Sequence, residues 1–206
     1  MAQVNPRETG EAELFFRQWL RSPKSMGSVA PSSRVLARAV TRAVVWRPGQ
    51  TVVELGAGTG AISRGLLGAG LPPEALAMVE LDPPLVDYLR TRFPSIRVIK
   101  GDATRLHDLL HDHGIERVGT VISGLPMVNM PLEFQQAIIE QSFAVLDRNG
   151  CLLQYSYSPV VPIRAKKLGV HAELVKFVVR NLPPATVWRI SRANGHGHGR
   201  VRNGGG

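Results

Sequence analysis

With 206 residues and 44% apolar side chains, the chain is long enough for one domain with a proper core and short for two. No run approaches the roughly 18 apolar residues of a membrane span, no secretory leader is apparent, and the single cysteine, Cys151, rules out an internal disulfide; a cytoplasmic protein is expected. The net charge of +9 is unevenly placed, with +5 over residues 1–48, −4 over 49–150 and +8 over 151–206. Basic ends around a mildly acidic middle point to an anionic partner, nucleic acid or lipid headgroups, with charge kept for solubility as the plain alternative.

In chain order, Glu11 to Arg21 reads as a short helix carrying Leu14, Phe15, Phe16, Trp19 and Leu20, broken by Pro23. Ser32 or Ser33 is placed to cap a second helix, Arg34 to Trp46, ended by Pro48-Gly49. Strand and helix then alternate. Strands are predicted at Thr51–Leu55, Ala75–Leu81, Ile96–Lys100, Val118–Ile122 and, after an Asn149-Gly150 turn, Leu152–Ser156. The intervening helices are Ala61–Leu67, Pro84–Phe93, Ala103–His113 and Leu132–Leu146. Two further strands, Glu173–Asn181 and Thr186–Ser191, are joined across Pro183-Pro184 by so short a link that they must be antiparallel. The pattern predicts an α/β, Rossmann-like, doubly wound fold: a mainly parallel seven-stranded sheet with an antiparallel last strand and N-terminal helices. The expected organisation is N-terminal helices over 1–48, a ligand-binding domain over 49–192 and a disordered Gly/His/Arg-rich tail over 193–206.

The strongest chemical signal is Glu54-Leu55-Gly56-Ala57-Gly58-Thr59-Gly60, where the first strand turns into a helix. Glycines there permit a tight turn and let a ligand lie against bare backbone. Gly56, Gly58 and Ala61 also fit a dinucleotide loop, and the acids decide between ligands. Glu80 ends the second strand, where a carboxylate receives ribose hydroxyls in either case. Asp102, in Gly101-Asp102-Ala103, ends the third, where it can receive the exocyclic amine of adenine. Glu54 would repel a pyrophosphate and suits the cationic amino group of S-adenosylmethionine. A purely structural role, turn or cap, is believable for any one of these residues, and for Asp82 before Pro83-Pro84 it is the expected one.

Residues 51–126 resemble class I S-adenosylmethionine-dependent methyltransferases, and Ser123-Gly124-Leu125-Pro126 is similar to the Asn-Leu-Pro-aromatic motif of ribosomal RNA adenine dimethyltransferases. More of the chain, from Phe16 to Arg192, resembles bacterial phospholipid N-methyltransferases. That likeness lies in Pro23-Lys24-Ser25 with Gly27 to Ser33, in Ser123 to Pro126, and in Asn181 to Trp188. The resemblance implies methyl transfer to phosphatidylethanolamine and its mono- and dimethyl forms, towards phosphatidylcholine, with S-adenosylhomocysteine as by-product. It also implies a cofactor site at Glu54, Gly56, Gly58, Gly60, Glu80, Leu81, Asp102, Ala103, Ser123 and Gly124.

Ser123 and the backbone after it are expected beside the transferred methyl. Tyr155 and Tyr157 share one face of the fifth strand and form a candidate amine pocket, where aromatic rings hold a headgroup cation; simple packing at a sheet edge is the alternative. Phe15, Phe16 and Trp19, with Lys24 nearby, fit either an interfacial helix or one packed on the domain. Arg164, Lys166 and Lys167 either bind a lipid phosphate or form a solvated surface. A nucleic-acid methyltransferase is the rival enzyme, disfavoured by Met127 where an aromatic stacks the flipped base. A non-enzymatic module binding anionic membranes is the rival of another kind. No metal, nucleic-acid or protein partner is expected, and the protein is placed at the inner face of the cytoplasmic membrane.

Overall fold

The computed structural model of the chain describes residues 31–179 and 183–193. A first helix, α1 (Pro31–Ala43), leads into β1 (Thr51–Leu55), α2 (Ala61–Gly68), β2 (Leu76–Glu80), α3 (Pro83–Arg92), β3 (Arg97–Lys100), α4 (Leu106–Asp112), β4 (Val118–Ser123), α5 (Leu132–Val145), β5 (Leu146–Ser156), β6 (Val170–Val178) and β7 (Ala185–Arg192). The sheet has seven strands in the order β3-β2-β1-β4-β5-β7-β6. Strands β1 to β5 pair in parallel, and β7 runs antiparallel to both β5 and β6, so the expected architecture holds.

Alternation along each strand supplies two cores. Val52 faces a layer built from Leu36 and Val40 of α1, Leu66 of α2 and Leu89 of α3, while its neighbour Val53 faces Leu106 of α4 and Ile138 of α5. Covered on both faces, β2 and β4 are buried throughout, as central parallel strands must be. Cys151 lies within the first of these layers, its sulfur 3.4 Å from the Thr120 hydroxyl.

Several boundaries move, each for a local reason. Helix α1 opens at Pro31, a residue with no N–H to leave unsatisfied, so Ser32 and Ser33 fall inside the helix and not at its cap. Beyond its end at Ala43, Val45 donates its N–H to the Thr120 hydroxyl at 2.9 Å, and that hydroxyl donates to the Val45 carbonyl at 2.7 Å. Asp102 accepts the Thr104 N–H at 2.9 Å and caps a 3-10 turn, Ala103–Arg105, which precedes α4. Asp82 begins α3 without a side-chain capping bond. Strand β5 begins at Leu146, and Asn149-Gly150 forms an irregularity inside it, where the register with β4 shifts between Val118 and Thr120. Strand β6 starts at Val170. The expected helix over 11–21, Asn181 and the tail from 194 lie outside the described residues. Among the described residues no helix is long and apolar enough to cross a membrane.

Candidate functional site

Strands β1, β2, β3 and β4 all end at one edge of the sheet, the ligand edge of such folds, and their last residues face one another there. The turn after β1 carries left-handed Gly56, Gly58 and Gly60, with φ of 68°, 55° and 72°. Gly56 lacks a β-carbon for a steric reason as well: one built there would come 2.7 Å from the Leu125 side chain. Its N–H donates to the Val79 carbonyl at 2.9 Å.

Glu80 is buried at the end of β2. Its Oε1 accepts the N–H groups of Leu81 and Asp82 at 2.8 and 3.2 Å, and its Oε2 accepts that of Gly58 at 3.0 Å. Three of roughly four acceptor positions on the carboxylate are thereby used. Burial raises its pKa, against the pull of the three N–H groups. Glu54, fully buried beneath α2, accepts the Ser63 hydroxyl through Oε2, and its Oε1 has no partner among the described residues. Burial pushes its pKa up to about 7, with a further push from Glu80, while the Ser63 hydroxyl and Arg64 oppose the shift.

Between β1, β2, β3 and α5 lies a cavity of about 260 Å³. Gly56, Leu81, Asp102 and Ala103 form one side of it, and Leu125, Met130 and Phe134 the other. Beyond it, at the end of β5, the Tyr155 and Tyr157 rings meet edge to face with centroids 6.4 Å apart and planes at 85°. Tyr157 is exposed and Tyr155 half-buried, with its hydroxyl over Gly124. The phenol of Tyr155 is raised well above its ordinary pKa, first by burial and then by the nearby Glu54 charge; burial also raises that of Tyr157.

No protein-family model matches the chain. An ornithine lipid N-methyltransferase from Singulisphaera acidiphila is 34% identical over 175 residues, covering 84% of this chain and 91% of that protein. The chain belongs to that lipid N-methyltransferase family. Solved structures share the fold. A TehB-like S-adenosylmethionine-dependent methyltransferase from Corynebacterium glutamicum aligns with TM-score 0.57 at 16% identity, covering 89% of this chain and 99% of that one. An O-methyltransferase from Bacillus cereus, solved with S-adenosylhomocysteine, aligns with TM-score 0.58 at 12% identity over 92% of both chains. Against the CcbJ methyltransferase of Streptomyces caelestis the chain covers 71% of its own length and spans 57% of that protein, with TM-score 0.50 and 20% identity.

The cofactor of this methyltransferase is S-adenosylmethionine, and the residues at the strand ends suit it. The cavity lining is mostly apolar with Asp102 in it, a character that fits a purine ring, and Glu54 Oε1 is a buried acceptor without a partner among the described residues. Of the expected cofactor residues, Gly56, Leu81, Asp102 and Ala103 line the cavity directly. Ser123 is buried, its hydroxyl weakly accepting the Leu125 N–H at 3.4 Å, and the Gly124 N–H donates to the Leu55 carbonyl at 2.9 Å. Arg164, Lys166 and Lys167 are exposed on the turn before β6 and do not line the cavity. Phe15, Phe16, Trp19 and Lys24 lie outside the described residues.

Several contributors were not anticipated. Gln154 is buried and donates to the Leu125 carbonyl at 3.0 Å, fixing the turn after β4. Gln135 does the same for Met127 and Met130, at 2.8 and 3.0 Å. Ser63 holds Glu54. Met130 and Phe134 wall the cavity. Their signal in the sequence is thin: a buried glutamine in a strand or helix marks a backbone to be satisfied nearby, but not which one.

Proposed function

We propose that this methyltransferase N-methylates a membrane lipid with an amine headgroup, phosphatidylethanolamine and its mono- and dimethyl forms, at the inner face of the cytoplasmic membrane. The observation that carries the reading is the edge-to-face pair of Tyr155 and Tyr157 beside Gly124, whose neighbour Leu125 lines the cavity. Two electron-rich ring faces attract a substituted ammonium, and do so whether the nitrogen carries one methyl or three.

In this reading the backbone of Gly56, Gly58 and Gly60 receives the cofactor, Glu80 takes its ribose hydroxyls, Asp102 its adenine amine and Glu54 its amino group, while Leu81 and Ala103 pack on the ring. Because the Gly58 N–H already occupies Glu80, binding both hydroxyls requires that N–H to give way. The bound cofactor supplies a methyl on a positively charged sulfur. The chain's own part is to hold a neutral amine in line with that carbon, at about 3 to 3.5 Å. Ser123 and Gly124 border that position. The amine would shed its proton to solvent, leaving its lone pair free to face that carbon. With its pKa raised, the Tyr155 phenol stays protonated near neutral pH, so it orients the amine through its oxygen lone pairs and does not remove the proton. Arg164, Lys166 and Lys167 serve as candidates for the lipid phosphate.

An ornithine lipid is the second reading, favoured by the Singulisphaera acidiphila relative. Both lipids present a primary amine on a short aliphatic arm, so the tyrosine pair suits either. Incubation with labelled methyl donor and, separately, phosphatidylethanolamine vesicles, ornithine lipid vesicles or RNA tests the proposal. Label is expected in phosphatidylethanolamine; label in the ornithine lipid alone selects the second reading, and label in RNA alone overturns both.

A further inference from the structure

We infer that the outer face of α1 and the adjoining edge strand β6 form the surface that docks on an anionic phospholipid bilayer. Its orientation rests on the lipid reading above, but its observations are independent of the active site. Arg34, Arg38 and Arg42 stand at i, i+4 and i+8 along the exposed side of α1. Like charges at that spacing destabilise a helix, and none of the three forms an ion pair among the described residues. Such a ridge is unfavourable until an anion meets it.

The ridge has a groove on either flank, and among the described residues no acidic side chain lines either one. On the α2 side, Arg64 faces it across a floor of small residues, so closely packed that a β-carbon on Gly65 would come 2.6 Å from that of Ala37. On the β6 side the lining is apolar and open to solvent, with Val35, Phe177 and Val179 exposed, the last by 68%, and Lys176 among them. Guanidiniums flanking exposed aliphatic and aromatic side chains match the two layers of a lipid interface: phosphates outside and the acyl boundary beneath. A nucleic acid would satisfy the arginines and leave the apolar groove in water.

The surface is also in the right place. Strand β6 runs in the same direction as β5, because both are antiparallel to β7. Lys176 pairs with Val187, and Val187 with Tyr155. Lys176 is therefore level with the amine pocket, on the same face of the sheet and two strands away, about 10 Å. A bilayer resting on this edge would bring headgroups to Tyr155 and Tyr157 without a lipid leaving the membrane.

The test is vesicle flotation of the full chain on phosphatidylethanolamine with phosphatidylglycerol, and on phosphatidylcholine alone. Its companion measurement is methylation of the same lipids in vesicles and in detergent micelles. The variant Arg34→Gln/Arg38→Gln/Arg42→Gln is compared with Arg90→Gln/Arg92→Gln/Arg97→Gln, an equal charge change near the opposite edge of the sheet. Wild type and the second variant are expected to float with the anionic vesicles. The first variant should bind on the order of a hundredfold more weakly, at about fivefold per arginine, and methylate vesicle lipid poorly while keeping its rate in micelles. Val179→Ser with Phe177→Ser should weaken binding in high salt, where charge is screened. Equal loss in both arginine variants, or none in the first, overturns the inference, as does binding of RNA in preference to vesicles. Flotation that depends on the ridge, without any lipid becoming methylated, would keep the docking surface and reject the lipid substrate.

Discussion

The hydroxyl of Tyr155 sits over the Cα of Gly124, in the space that a β-carbon would fill. The turn after β4 and the end of β5 are thus fitted to each other, and the phenol lies where it does only because residue 124 has no side chain. Gly124→Ala should displace the ring and cost about 1–3 kcal/mol of stability through overpacking. Its kcat should fall by up to about a hundredfold, the effect of roughly an ångström of misplacement. Thermal melting and steady-state kinetics check both, and a normal kcat would show that the ring is not needed where it lies.

Ring and hydroxyl can be told apart at the tyrosine pair. Tyr155→Phe and Tyr157→Phe keep the aromatic face and should retain most of the lipid affinity. The alanine variants should raise KM by a few-fold to roughly thirtyfold, the range of a cation–π contact. Undiminished turnover in both alanine variants would remove the proposed amine pocket.

Glu54 gives a pH dependence whose sign is fixed. Burial pushes its carboxyl up to about 7 in the folded chain against 4.5 for a glutamate in water, so between those values the folded state holds the proton that the unfolded state has lost. Stability is therefore greatest below pH 4.5 as far as this group is concerned, and falls as pH rises towards 7, by on the order of 3 kcal/mol. Glu54→Gln, which can still accept the Ser63 hydroxyl, should flatten that slope in urea melts. If Glu54 receives the cofactor's ammonium, S-adenosylhomocysteine should bind wild type more tightly as pH rises through 7, and the variant should lose this trend.

Glu80 is an acceptor for three backbone N–H groups. Glu80→Gln replaces one acceptor oxygen by a donor and should cost about 1.5–3 kcal/mol in lost charge-assisted bonds. S-adenosylhomocysteine affinity should drop roughly ten- to hundredfold on the same scale, as calorimetry would measure. Unchanged affinity would reduce Glu80 to a staple for the Gly58 turn.

The strand-and-helix order could be read from the sequence because Val52, Val53 and their counterparts fill both faces of a buried sheet. For the same reason Glu54, Glu80 and Asp102, acids at the ends of apolar strands, stood out. The start of β5 was not legible. Asn149-Gly150 has the chemistry of a turn, but the chain keeps pairing through it by shifting register beside Gly119, where a β-carbon would come 2.7 Å from Gln50 Oε1 and 2.8 Å from the Val45 carbonyl. The supporting shell was equally hidden. Gln154, Gln135 and Ser63 act on partners fixed by tertiary contact, and neither period nor spacing encodes such a partner.

The solitary thiol of Cys151 has a use of its own. Enclosed at the centre of the β4–β5 pair, between Thr120 and the last carbonyl of α1, it meets a reagent in solution only when those elements separate. Its alkylation rate in native buffer is then an internal clock for opening of the molecule's middle, with no label to introduce and no second cysteine to confuse the signal.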